Sequence, residues 1–202
     1  MYNILKTAMT YLENSDKLIY SYRGNTFMQD GELLDPENGR RGRIDCSTLV
    51  HLALQGVDFE RSPYVTGDTE GFFRDKCSWY NRCDMQWTVG EVFAEFAERS
   101  NNIRRAYGLA KYFRETGLEL GPEEALQPGD LVFFRAPASV VREYRNYGAY
   151  LEISHVGIVA EDTKLMINAT GRSDPRYNAE HTSVRLTEIN KKGKPCIAAR
   201  LG

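Results

Sequence analysis

The chain changes period near Pro128-Gly129, and that switch constrains its fold more than any other feature. Upstream, apolar residues recur at helical spacing. Ile4, Leu5, Ala8, Met9 and Leu12 make one apolar face over residues 3–13. Residues 46–55 are apolar nearly all round, the surface of a buried helix, with Gly56 placed to end it and Asp45 or Ser47 placed to cap it. Thr88-Val89-Gly90-Glu91 has the form of a capping box, and residues 103–115 predict a further helix ending near Gly117. Downstream, Leu126 to Asp130 reads as a turn. Residues 131–134, 153–160, 164–169, 183–189 and 196–201 then read as short strands, with Glu161-Asp162-Thr163 turning the chain between the second and third. Helices first and strands after predict an α+β fold with an antiparallel sheet. At 202 residues the chain is expected to form a single domain, with 58–120 as a helical insertion and two long loops at 24–43 and 135–150.

Charge and cysteine usage narrow the function classes. The net charge of −2 gives no basic surface on which to expect nucleic acid or an anionic membrane. No run approaches the roughly 20 apolar residues of a membrane span. The first residues, MYNILKTAMTYLENSDK, lack the apolar core of a secretory leader, so the expected location is the cytoplasm as synthesised, with action on a cell wall only after release. The four cysteines, Cys46, Cys77, Cys83 and Cys196, are expected as free thiols. Cys77 and Cys83 lack the spacing of a zinc site, and neither metal nor cofactor is expected. Lys191-Lys192-Gly193-Lys194 reads as a solvated hairpin turn.

One cysteine stands apart. Cys46 falls at the start of the buried helix, where unpaired backbone N–H groups favour a thiolate. The same position also suits an inert structural thiol. A nucleophile needs a base, and the chain has three histidines. His51 lies on the same helix but on another face, and His181 sits in a polar loop. His155 begins the apolar strand His155-Val156-Gly157-Ile158-Val159, a rigid mount for an imidazole. Asn168, on the next strand, is the candidate to orient it, as in a Cys-His-Asn arrangement. Tyr144, Tyr147 and Tyr150 are candidates for substrate contact, whereas Trp79, Tyr80, Trp87, Phe93 and Phe96 read as core of the insertion.

These blocks, taken in order, resemble the NlpC family of cell-wall cysteine peptidases, which have a papain-like fold. Asp45-Cys46-Ser47-Thr48-Leu49-Val50 resembles the family's nucleophile block, with Thr48 where the family usually has Gly. Pro128-Gly129-Asp130-Leu131-Val132-Phe133-Phe134 and His155-Val156-Gly157-Ile158-Val159 resemble two of its strands. Ile167-Asn168-Ala169 stands where the family has Ile-His-Ala, and Tyr20-Ser21-Tyr22-Arg23-Gly24 weakly resembles a segment whose first Tyr lines the active site. The resemblance covers about half the chain. It implies Cys46 as nucleophile, His155 as base and then acid, and Asn168 as its orienting partner. It further implies Tyr20, Asp45, Ser47 and Ser154 at the substrate or oxyanion positions. The implied activity is that of a monomeric endopeptidase acting on peptidoglycan stem peptides, between D-glutamate and the diamino acid, as a phage lysin or a wall-recycling enzyme. Two alternatives share the scaffold: a Cys-His amidase or acyltransferase, and a papain-like binding module with Cys46 inert.

Overall fold

A computed structural model describes residues 3–21, 41–67, 106–135, 153–171 and 183–201. Helix α1 spans Ile4–Glu13. Its N-cap is Asn3, whose side chain accepts from Lys6 N, and Ile4, Leu5, Ala8 and Tyr11 are buried. A 3₁₀ turn, Ser15–Lys17, leads into β1 (Leu18–Tyr20), which pairs in parallel with β2 (Gly42–Ile44). Neither strand is evident from periodicity, since three residues carry too little pattern. Helix α2 (Cys46–Leu54) follows directly, and all nine of its residues are buried. Gly56 ends it with φ +64°, a conformation that costs glycine little. A 3₁₀ turn (Phe59–Arg61) and α3 (Pro63–Thr66) pack beside α1. Helix α4 (Ala106–Glu115) lies against the sheet.

The sheet is antiparallel and five-stranded, as the second half of the chain predicts. It comprises β3 (Leu131–Arg135), β4 (Ile153–Val159), β5 (Leu165–Thr170), β6 (Ser183–Glu188) and β7 (Ile197–Ala199), in the order β6-β5-β4-β3-β7. The last connection differs from the expected hairpin. β6 and β7 occupy opposite edges, and residues 189–192 form a 3₁₀ turn that starts the crossing. Asp130 pins the arrangement. Its buried carboxylate takes a two-point ion pair from Arg200, just past β7, at 2.8 Å for each contact, and also accepts from Gln127 N.

Strand alternation sends side chains to two faces. Leu131, Phe133, Val156, Ile158, Ile167, Ala169, Val184 and Ile197 join α1, α2 and α4 in one core. Leu109, Tyr112 and Phe113 of α4 belong to that core, so the end of the 58–120 segment is integral to it. Val132, Phe134, Val159, Met166 and Ile189 form a smaller cluster on the opposite face.

The ladder is uneven. β5 pairs with β6 along its whole length, from Leu165–Glu188 to Thr170–Ser183. Between β4 and β5 the register covers Ile158–Ile167 and Val159–Met166. The two strands therefore part toward the His155 end of β4. Segments 136–152 and 172–182 join the described chain at this end of the sheet, next to Arg135 and Ile153 and to Gly171 and Ser183, and segment 22–40 departs from Ser21, beside the Tyr20 ring that meets Gly171. The capping box at Thr88 to Glu91, the five aromatics of the insertion, Cys77, Cys83, His181 and the three loop tyrosines lie outside the described residues. No described helix is long and apolar enough to cross a membrane.

Candidate active site

Cys46 opens α2 and is 7% exposed. Asp45 is the N-cap: its Oδ1 accepts from Thr48 N at 2.8 Å and from Ser47 Oγ at 2.9 Å. Both Asp45 and Ser47 are buried, and their side chains are engaged with each other and with the helix end. Their observed contacts are therefore those of a cap holding Cys46 in place. The sulfur sits where β4 and β5 part. The backbone N–H groups of Val156 and Ser47 are aimed at it and favour the thiolate.

His155 precedes Val156 and stands on the other side of the strand, where its ring lies 6.0 Å from that of Phe134. Its Nε2 is 2.9 Å from Asn168 Oδ1. Asn168 is fully buried, and its own contacts settle the imidazole tautomer. Asn168 Nδ2 donates to the Arg185 carbonyl at 3.2 Å and to Thr187 Oγ1 at 2.9 Å. A carbonyl can only accept, so the amide nitrogen must face Arg185 and the amide oxygen must face His155. His155 Nε2 then carries the proton, and Nδ1 is the bare, basic nitrogen. The structure thus brings His155 and Asn168 together and sets Cys46 against the backbone of Val156, the residue after His155; among the described residues no hydrogen bond joins Cys46 to the imidazole.

The electrostatics favour the neutral form of each group. Burial pushes the Cys46 thiol up to about 12, and the Asp45 charge adds to this. The N–H groups of Val156 and Ser47, and Lys192, act the other way. Burial pushes His155 down to about 3, helped by the charges of Lys192 and Arg185 and opposed by the Asn168 bond. The helix start therefore does not outweigh the desolvation of the sulfur, contrary to the thiolate that its position alone predicts.

The remaining candidates divide by position. Tyr20 ends β1, and its ring lies over Gly171, where a Cβ would overlap it; only glycine fits that contact. Ser154 is exposed, beside the irregularity where β3 shifts register between Phe134 and Arg135. His51 is buried within α2. Sequence reasoning missed Thr187, Arg185 and Lys192. Asn168–Arg185 and Met166–Thr187 are cross-strand pairs that become visible only once the register is known. Among the described residues, no three of His, Cys, Asp and Glu gather as metal ligands would.

No protein-family model matches the chain, and no curated protein matches it. Among solved structures, the chain is similar to the peptidoglycan hydrolase RipB from Mycobacterium tuberculosis, with a TM-score of 0.44 and 16% sequence identity. The match covers 98% of this chain and 64% of that one, so the chain spans just under two thirds of that structure's length.

Proposed function

We propose that this chain is a papain-like cysteine hydrolase in which Cys46 attacks a peptide carbonyl, His155 moves the proton and Asn168 holds the imidazole. The observation that carries the reading is the locked tautomer: an amide that cannot flip holds Nε2 protonated and leaves Nδ1 free to accept. The thiol proton passes to Nδ1 as the sulfur bonds to the carbonyl carbon, because both groups rest neutral. The Cys46 backbone N–H lies in the first helical turn, which has no intrahelical acceptor, and it faces the developing oxyanion. His155 then gives its proton to the leaving amine, and water releases the acyl group from the sulfur. Tyr20 and Ser154 line the substrate's approach.

The substrate class comes from the resemblance of the sequence blocks to the NlpC family: stem peptides of peptidoglycan, cut between D-glutamate and the diamino acid. Cys46→Ala should lower release of new diamino-acid amino termini from purified wall by on the order of 10⁴-fold or more, with an unchanged circular dichroism spectrum. Undiminished release would sink the hydrolase reading. Release of glycan-free peptide whose new amino terminus is on its first residue, and not on the diamino acid, would instead point to an amidase on the same residues.

The raised thiol favours a second reading, a binding module with Cys46 inert. Alkylation of Cys46 against pH separates the two. A profile that changes in His155→Ala supports the Cys–His pair, and identical profiles with an ordinary thiol midpoint support the module.

A further inference from the structure

The turn that carries the chain out of β6 delivers a cation to the site. In the 3₁₀ turn Ile189–Lys192, Ile189 is buried under the sheet and Lys191 pairs with Glu188 at 2.7 Å. Lys192 takes another course. Its Nζ donates at 3.1 Å to Thr170 Oγ1, at the far end of β5. Thr170 alternates with Asn168 on the strand, so the ammonium lies on the sheet face that carries His155 and Asn168. Arg185 stands directly across the ladder from Asn168 on that same face.

Two cations thus share the patch beside the reactive pair. Among the described residues no carboxylate pairs with Lys192, and its one hydrogen-bond partner is a neutral hydroxyl. The nearby Asp45 carboxylate is engaged by Ser47 and Thr48. Burial and the Arg185 charge both lower the Lys192 ammonium, while the sulfur of Cys46 acts the other way. A partly desolvated ammonium whose hydrogen-bond partner is a neutral hydroxyl is stabilised when an anion joins it. A cleft of one sign also concentrates ligands of the other.

We propose that Lys192, with Arg185 beside it, is a carboxylate-binding subsite that selects substrates carrying a negative charge next to the bond Cys46 attacks. This rests on the hydrolase reading and deepens it. A glutamate whose one carboxyl forms the scissile bond keeps its other carboxyl free, one residue's reach from the sulfur.

The test needs no knowledge of the substrate. Iodoacetate and iodoacetamide alkylate a thiol by the same displacement of iodide and differ in charge, so the ratio of their rates at Cys46 cancels the thiol's own ionisation. Rates are read by mass spectrometry of the Cys46 peptide, with the uncharged thiol N-acetylcysteine amide in the same solution as reference. In wild type the iodoacetate-to-iodoacetamide ratio at Cys46 should exceed that of the reference by roughly tenfold, and the excess should shrink in high salt. Lys192→Met should remove most of the excess, and Lys192→Arg should keep it. Equal ratios in wild type and Lys192→Met would overturn the subsite. Failure of the hydrolase reading is separately visible, as wall cleavage that survives Cys46→Ala, and it leaves the alkylation ratio unmoved.

Discussion

Phe133 and Phe134 are neighbours in β3 and face opposite sides of the same sheet. Phe133 is fully buried, 6.2 Å from Phe113 of α4, within a core that runs without a break through α1, α2, α4 and the five strands. Phe134 belongs to a small cluster that gives way, within one residue pair, to His155 and Asn168. One face is closed by helices. The other is closed by a few apolar side chains and then by a hydrogen-bonded network. The polar network lies at the end where β4 and β5 part, so it sits where packing has already been given up. Its members hold one another instead: Thr187 and the Arg185 carbonyl hold Asn168, and Asn168 holds His155.

The contrast can be broken at several points. Phe133→Ala should cost about 3–5 kcal/mol in urea unfolding, since the cavity forms between rigid layers. Phe134→Ala should fall at or below the low end of that range, about 3 kcal/mol, because its cluster is small and water can follow. A larger loss from Phe134→Ala than from Phe133→Ala would mean the second face is a true core.

Acid should find the polar face first. His155 is held down to about 3 in the fold against 6.5 when free, so the unfolded chain binds the extra proton between those values. That contribution to stability is complete above pH 6.5 and is lost as pH falls toward 3. Unfolding midpoints measured from pH 7 to pH 4 should therefore drop more steeply in wild type than in His155→Gln, and parallel slopes would reject the buried neutral imidazole.

The mildest change is Asp45→Asn. Asparagine caps a helix about as well as aspartate, so stability should move by less than about 0.5 kcal/mol. Removing the charge next to the sulfur should shift the alkylation midpoint of Cys46 to lower pH. An unshifted midpoint would mean burial alone sets it.

Much of this was legible in the sequence, for identifiable reasons. The helices at Ile4–Glu13 and Cys46–Leu54 and the strands from Leu131 onward carry strong periodic patterns, and the structure has them close to the expected bounds. The α+β class follows from their order. The adjacency of His155 and Asn168 follows from a hairpin with a short polar turn. β1 and β2 were not legible, because three-residue strands pair with partners distant in the chain. The crossing from β6 to β7 was not legible either. Lys191 to Lys194 look like any solvated turn until the strand order shows that they begin a passage between opposite edges. The neutral states of Cys46 and His155 depend on burial where elements distant in the chain meet, which no local pattern encodes.

The meeting of Tyr20 with Gly171 has a consequence for how such a chain can diversify. That contact fastens the departure points of segments 22–40 and 172–182 to one corner of the sheet, and 136–152 is tethered at the same end through Arg135 and Ile153. Every described strand pair and the α2 cap are built from residues outside these three stretches. A lineage could therefore vary these stretches while inheriting the Asp45 cap and the His155–Asn168 contact intact, with Gly171 as a position where even one added methyl would be selected against.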